Sequence, residues 1–299
     1  MKLQSIYKFI FNYKYREMVK CNLGFYDSME DEKYLRKLYK LKTGLELNLD
    51  SPKRFNEKLQ WLKLYDRNDI YTVMVDKFLV KEYVDKLIGE GHTAKTIGVY
   101  DCFEDIDFDS LPEKFVIKTT HGCGGMYIHR GGEINKKMAR KKVMSTFSKN
   151  YYFHTREWPY KGVKPRILIE EYLQNEDEEN LTVYKVLCFE GQARIIQVIQ
   201  DDKTPNESID YFDTEWNLLD LKQNYPNSQN HIKRPDQLEE ILRLSNICSN
   251  GIHFLRTDWY VVNGKIYFSE FTFFSDAGLE KFYPDSWDEV LGDWINLTR

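Results

Sequence analysis

Lys114-Phe115-Val116-Ile117-Lys118-Thr119-Thr120-His121-Gly122-Cys123-Gly124-Gly125-Met126-Tyr127-Ile128 is a short β-branched run carrying a lysine, then a loop with three glycines, then a second short apolar run. Glycines let backbone N–H groups close on an anion. Lys118 sets a positive charge beside that loop. This is what holding a nucleotide phosphate requires, although a hairpin with a glycine tip and no ligand has the same local pattern. The lysine comes before the glycines, a strand follows Gly125, and no Gly-Lys-Ser/Thr ending is present. The stretch therefore departs from a P-loop. Cys123 reads as a small residue in a crowded turn.

The 299-residue chain is 42% hydrophobic and 30% charged, which allows a sizeable core and argues against general disorder. Its net charge of −4 argues against nucleic-acid binding as its task. The five cysteines, Cys21, Cys102, Cys123, Cys188 and Cys248, show no C-x-x-C spacing. They point away from a disulfide framework or zinc site and toward a reducing cytoplasm. No run of 18 apolar residues suggests a transmembrane helix. The start interleaves Ile6, Phe9, Ile10 and Tyr13 with Lys2, Lys8, Lys14, Arg16 and Lys20. Such a segment either docks on the domain or lies on an anionic membrane surface.

Outward from the glycine loop, apolar spacing predicts helices through the first 67 residues, with Ser51-Pro52 starting one of them. A single helix is expected over 69–88, carrying Asp76, Lys77 and Lys81. Gly98-Val99-Tyr100 begins a short strand. Asp105-Ile106-Asp107 invites comparison with metal-dependent glycosyltransferases, but it sits in an acidic stretch that reads as a solvated turn. Beyond the loop come a basic helix over 134–149 and a strand at 165–173 ending in Glu170-Glu171-Tyr172-Leu173. An acidic loop from Asn175 to Asn180 follows, then a hairpin of Thr182–Phe189 and Gln192–Gln200 with Lys185 in mid-strand. A helix over 235–250 ends at Gly251. The last hairpin pairs His253–Tyr260 with Lys265–Phe274, and a terminal helix follows.

The last hairpin carries Arg256, Asp258, Glu270 and Thr272. A two-residue Asn263-Gly264 turn would put Glu270 on the face opposite Asp258. A three-residue turn, Val262-Asn263-Gly264, puts all four on one face and leaves the other face apolar, so the three-residue turn is expected. Two carboxylates and a hydroxyl are hard oxygen donors suited to Mg²⁺. A structural network of arginine and carboxylates would use the same residues.

In order, these features resemble the ATP-grasp superfamily, and specifically its TupA-like branch, associated with teichuronopeptide and other surface-polysaccharide synthesis. The resemblance runs from about Phe55 to the C-terminus. It rests on Phe55-Asn56-Glu57-Lys58-Leu59-Gln60-Trp61, Lys118-x-x-His121-Gly122-x-Gly124-Gly125, Pro165-Arg166, Tyr184-Lys185 and Arg256-x-Asp258. It implies an α+β ATP-grasp fold, with two subdomains gripping ATP and a helical N-terminal extension. The implied division is a helical region at 1–67, an α/β subdomain at 68–112, a lid subdomain at 113–173 and a metal-bearing C-terminal subdomain at 174–299.

The resemblance also implies roles. Lys77 and Lys118 would contact ATP phosphates under a lid formed by His121, Gly122, Cys123, Gly124, Gly125 and Met126. Glu170, Glu171, Tyr172 and Leu173 would line the adenine. Asp258, Glu270 and Thr272 would hold Mg²⁺, with Thr272 where many ATP-grasp enzymes carry Asn. Arg256 and Lys185 would act at the transferred group. The implied activity is an ATP- and Mg²⁺-dependent carboxylate–amine ligase acting through an acyl phosphate, joining an amine or amino acid to a uronic acid of a surface polysaccharide or its precursor. The implied place is the cytoplasm, with contact at the inner face of the membrane through the basic N-terminus. A sugar-nucleotide glycosyltransferase and a non-catalytic ATP-binding assembly partner are the alternatives.

Overall fold

Alternation along two short strands puts Phe115, Ile117, Ile167 and Ile169 on one side, all fully buried. They form the core of a four-stranded antiparallel sheet. The computed structural model describes residues 3–175, 180–202 and 204–297. In chain order it begins with helices α1 (Leu3–Phe11), α2 (Tyr13–Asn22), α3 (Asp31–Thr43), α4 (Phe55–Tyr65), α5 (Ile70–Val75) and α6 (Leu79–Ile88). Strands β1 (Thr96–Tyr100), β2 (Phe115–Thr119) and β3 (Met126–His129) follow, then α7 (Lys136–Phe147), α8 (Tyr152–Thr155) and β4 (Ile167–Glu171). The first sheet has the order β1-β4-β2-β3. Ala139 and Val143 of α7 close its core.

The second half contains β5 (Val183–Phe189), β6 (Gln192–Gln200), β7 (Ser208–Asp213), α9 (Leu238–Ser249), β8 (Phe254–Val262), β9 (Lys265–Thr272) and α10 (Ser286–Asp293). Its five strands run β7-β6-β5-β8-β9, all antiparallel. The apolar stripe of α9, Leu238, Ile241 and Leu244, is fully buried against this sheet. Inside that layer, Ser245 Oγ accepts hydrogen bonds from Trp259 Nε1 at 3.0 Å and Thr257 Oγ1 at 2.8 Å. These bonds satisfy the polar atoms carried into the core. Among the described residues no helix is long and apolar enough to cross a membrane.

Three sequence expectations need correction. The helix expected from Ser51-Pro52 starts at Phe55, because Glu57 accepts the N–H groups of Lys53 and Arg54 at 3.0 and 3.2 Å and holds them outside the helix. The helix over 69–88 is broken. Asp76 is extended, and its carboxylate accepts the N–H groups of Phe78 and Leu79 at 2.9 and 3.1 Å, capping a new helix. Lys77 therefore lies in the break and not on a helix face. Strand β7 had no sequence expectation at all. The acidic loop expected from Asn175 to Asn180 lies outside the described residues, apart from its two ends.

The third correction concerns the last hairpin. Val262 pairs with Lys265, so the turn is the two-residue Asn263-Gly264, with φ of 49° and 78°. Both are the left-handed angles of a hairpin turn matched to strand twist. The face is restored by a β-bulge. Trp259 pairs with Phe268 and Asp258 with Glu270, leaving Ser269 as the extra residue. The bulge also lets Phe268 and Phe271 both enter the core, with ring centroids 4.4 Å apart.

Candidate active site

Register builds the centre of the site. Lys185 of β5 pairs with Asp258 of β8, which pairs with Glu270 of β9. Gln197 of β6 extends the same row beside Lys185. Side chains in one row share a face. Arg256, one pleat along, lies opposite Thr272. Its guanidinium grips Asp258 through Nε at 2.7 Å and Nη2 at 2.8 Å, and reaches Glu270 Oε1 at 3.4 Å. Lys185 Nζ stands 3.8 Å from Asp258 Oδ2. Burial works against ionisation of Glu270, but the charges of Lys77, Arg256, Lys185 and Lys118 outweigh it and hold its carboxyl below the usual range.

Lys77 joins this row to the glycine loop. Its Nζ donates to the Gly122 carbonyl at 3.0 Å and lies 3.5 Å from Glu270 Oε2. Its backbone N–H donates to the Thr120 carbonyl at 3.1 Å. The neighbouring Asp76 is fully buried and ion-paired with Arg166 Nη2 at 2.7 Å. The backbone of Arg166 in turn bonds Thr120, with the Thr120 N–H donating to its carbonyl at 3.0 Å. Asp76 and Arg166 thus fix where Lys77 starts, and sequence reasoning gave neither a task. The signal was there in the Asp76-Lys77 neighbourhood and the Pro165-Arg166 pair, but the contact spans 90 residues.

The loop itself needs its glycines. Gly122, Gly124 and Gly125 have φ of 106°, 87° and 63°. A Cβ on Gly125 would stand 2.1 Å from Thr146 Oγ1. His121 is buried. Its Nε2 donates to the Phe147 carbonyl at 2.9 Å, and Nδ1 has no partner. Burial lowers its pKa and so favours the neutral ring. Cys123 is exposed, which corrects its reading as a residue packed in a crowded turn. Met126 pairs with Lys118 at the base of the loop.

On β4, Glu170 is buried and ion-paired with both Lys118 and Lys81. Glu171 points elsewhere, with its Oε1 accepting the Lys95 N–H at 2.7 Å beside β1. Tyr172 and Leu173 follow at half-exposed positions, and Arg130 lies over the Tyr172 ring. Asp105 and Asp107 are both exposed, and Asp107 accepts the N–H of Asp109 within a local turn.

Next to the row lies a cavity of about 240 Å³ whose lining includes Lys185, Arg256, Gln197, Tyr225, Asp276 and Glu280. Asp276 and Ala277 adopt left-handed angles, φ 48° and 55°, immediately after β9. They are held from behind by α4. Gln60 Nε2 donates to the Ala277 and Gly278 carbonyls at 3.0 and 2.8 Å, and the buried Lys63 Nζ donates to the Ala277 carbonyl at 2.8 Å.

Glu270 fits a hard divalent cation, whereas both oxygens of Asp258 are held by Arg256 at 2.7 and 2.8 Å, so Asp258 would have to give up part of that grip to share the ion. Mg²⁺ keeps waters and phosphate oxygens and asks the protein for one or two carboxylates. Glu270's contacts with Arg256 and Lys77 are 3.4 and 3.5 Å, long for charge-assisted bonds, so its oxygens are not saturated. Among the described residues no group of three or more His, Cys, Asp or Glu could hold a metal by itself. The remaining ligands would come from phosphate, water and the Thr272 hydroxyl.

The sequence signature described as TupA-like ATPgrasp matches residues 57–296. The chain belongs to this family, and its two antiparallel sheets with flanking helices are an α+β ATP-grasp fold. Among solved structures it is similar to the D-alanine–D-alanine ligase of Helicobacter pylori, at 14% identity and a TM-score of 0.45, over 82% of this chain and 70% of that one. The ATP complex of the Bacillus anthracis D-alanine–D-alanine ligase gives 16% identity and a TM-score of 0.39, over 67% of this chain and 53% of that one. The ATP-grasp ligase PsnB, complexed with minimal precursor, Mg and ADP, gives 12% and 0.36, over 73% and 57%. This chain thus spans about half the length of the Bacillus anthracis relative. No curated protein matches the sequence.

Proposed function

We propose that this chain is an ATP- and Mg²⁺-dependent carboxylate–amine ligase, with residues 113–173 acting as the lid over the nucleotide. The observation that carries the reading is the row Lys185–Asp258–Glu270, with Arg256 beside it and Lys77 linking it to the glycine loop. A carboxylate is a poor electrophile until one oxygen becomes a good leaving group. Its oxygen would attack the γ-phosphorus of ATP, the bond to ADP would break, and an acyl phosphate would form. Lys77 and Lys118 would hold the phosphates, and Arg256 would offset the charge of the phosphoryl group in transit. Bound at Asp258 and Glu270, Mg²⁺ would supply charge neutralisation to the phosphate oxygens. The glycine loop would exclude water, which would otherwise hydrolyse the acyl phosphate. An amine would then attack the acyl carbon, releasing phosphate and leaving an amide.

The cavity beside Arg256 gives the acceptor room, and its mixed lining of cations, carboxylates and amides suits a polar substrate. From the family's association, the carboxylate is a uronic acid of a surface polysaccharide or its precursor, and the amine is an amino acid or simple amine. Purified protein given ATP, Mg²⁺, uronic acids and mixed amines should release ADP and yield a product heavier by the amine less water. Intact ATP binding with no stimulation by any pair would sink the reading. The exposed Asp105 and Asp107 give a sugar-nucleotide reading little to stand on. Protection against thermal unfolding by a sugar nucleotide but not by ATP would revive it.

We further propose that the N-terminus rests on the inner face of the membrane. Tyr7, Ile10, Phe11 and Tyr13 are exposed, Phe11 by 70%, among the basic Lys8, Lys14 and Arg16, while Lys20 is ion-paired with the buried Glu17. The full chain should sediment with vesicles containing an anionic lipid and not with neutral ones, and Phe11→Glu should release it. Equal recovery with both vesicle types would end this part of the proposal.

A further inference from the structure

Two ammonium groups share one carboxylate beneath the glycine loop. Glu170 on β4 and Lys118 on β2 are diagonal neighbours on the same face, since Val116 pairs with Glu170 and Lys118 with Leu168. Lys118 Nζ binds Glu170 Oε1. From the other side, Lys81 of α6 places its Nζ 2.8 Å from Glu170 Oε2 and also donates to the Ala94 carbonyl. The side chains of Lys81, Glu170 and Lys118 are 13%, 9% and 17% exposed. The trio therefore carries one positive charge in excess at a largely dry place, where an unbalanced ion is costly.

The two lysines are not equivalent. Lys81 is held twice, by Glu170 and by a carbonyl. Lys118 has Glu170 as its ion partner and stands on the strand that leads into the loop. Lys118 is the one able to leave for an incoming phosphate. If it left alone, Glu170 would be stranded as a buried charge, and that penalty would weaken nucleotide binding. We propose that Lys81 is the standing counter-ion of Glu170, a positioning residue that keeps the carboxylate neutralised so that Lys118 can transfer to a nucleotide phosphate. This rests on the reading of the site as an ATP site and extends it to a residue outside the glycine loop and the metal hairpin.

The test is the affinity of the full chain for AMPPNP with Mg²⁺, measured by calorimetry, which needs no turnover. Lys81→Met should weaken binding at least tenfold, because Lys118 is then required at Glu170. Lys81→Arg should stay within about threefold of the native protein. The double variant, Lys81→Met with Glu170→Gln, should bind several times more tightly than Lys81→Met alone, since no buried carboxylate is left to neutralise. Two results would overturn the proposal. One is native affinity in Lys81→Met. The other is a double variant no tighter than Lys81→Met, as expected if Lys81 touches the nucleotide itself or serves only folding. Failure of the native protein to bind the analogue would remove the ATP reading and this inference together, whereas a ligase reading that fails for want of an acceptor leaves the affinities unchanged.

Discussion

In the five-stranded sheet the charged side chains stand in register across three adjacent strands, so the ladder itself fixes their spacing. In the four-stranded sheet Lys118 and Glu170 sit diagonally on β2 and β4, and β2 continues into a loop of left-handed glycines. The cores differ in the same sense. The five-stranded sheet is packed by α9 and continues into α4 and α10 through Phe55, Phe189 and Phe254, which lie ring against ring. The four-stranded sheet has a separate and smaller core closed by α7. Small cores open at lower free energy than large ones. One sheet thus holds charge at distances set by its own ladder, and the other carries charge on a separate, smaller core beside a loop of left-handed glycines.

The sharpest way to break this comparison is at the fixed row. Asp258→Asn or Glu270→Gln should lower ATP turnover about a thousandfold in an ADP-release assay, the scale of losing a preorganised electrostatic contact. Retention within tenfold would mean that the row is a structural network only. Next comes the loop. Gly125→Ala meets both a positive φ and Thr146 Oγ1, a local cost of about 1–3 kcal/mol. The KM for ATP should rise at least tenfold. Gly44→Ala is the control, because Gly44 also has positive φ, at 83°, but ends α3 in open space. It should lower the melting temperature and leave the KM for ATP unchanged.

A smaller effect separates the two cores. Ile169→Val and Ile195→Val each remove one buried methylene group, worth about 1 kcal/mol. The first should speed hydrogen exchange in β2 and β3 with little change in the global melt. The second should lower the melt itself. If both variants behave alike, the sheets unfold as one unit.

The smallest effect is one of pH. Burial pushes the pKa of Glu170 up, and the charges of Lys118 and Lys81 more than undo this, leaving it below its ordinary 4.5. A folded-state pKa below the unfolded value gives stability that is complete above about 4.5 and lost as pH falls through the folded value. Melting curves between pH 7 and pH 3 should therefore fall less steeply for Glu170→Gln than for the native protein.

The sequence showed what lies in local order and hid what arises between distant segments. The glycine loop, Lys118 and the face shared by Arg256, Asp258, Glu270 and Thr272 could be read because spacing within a hairpin determines them. The face itself arises differently from what the apolar pattern implies. Strict apolar alternation requires a three-residue turn, whereas in the structure a bulge at Ser269 restores the face behind a two-residue turn. Bulges leave little trace in hydrophobic pattern. The break at Asp76 hid for a similar reason, since the apolar spacing of one helix continues into the next. Nothing local reveals that Asp76 meets Arg166 or that Lys81 meets Glu170.

The hold that α4 has on the turn after β9 reaches into how the molecule is made. Lys63 and the Ala277 carbonyl it binds are 214 residues apart in sequence. Contacts of such separation form late, because a long loop must close before they return any free energy. During synthesis α4 emerges early and waits with a buried-type lysine and an amide still facing water. The left-handed turn beside the candidate site can settle only when the last hairpin arrives. A chain cut shortly before that turn would lack the carbonyls that Gln60 and Lys63 bind, and with them a finished centre.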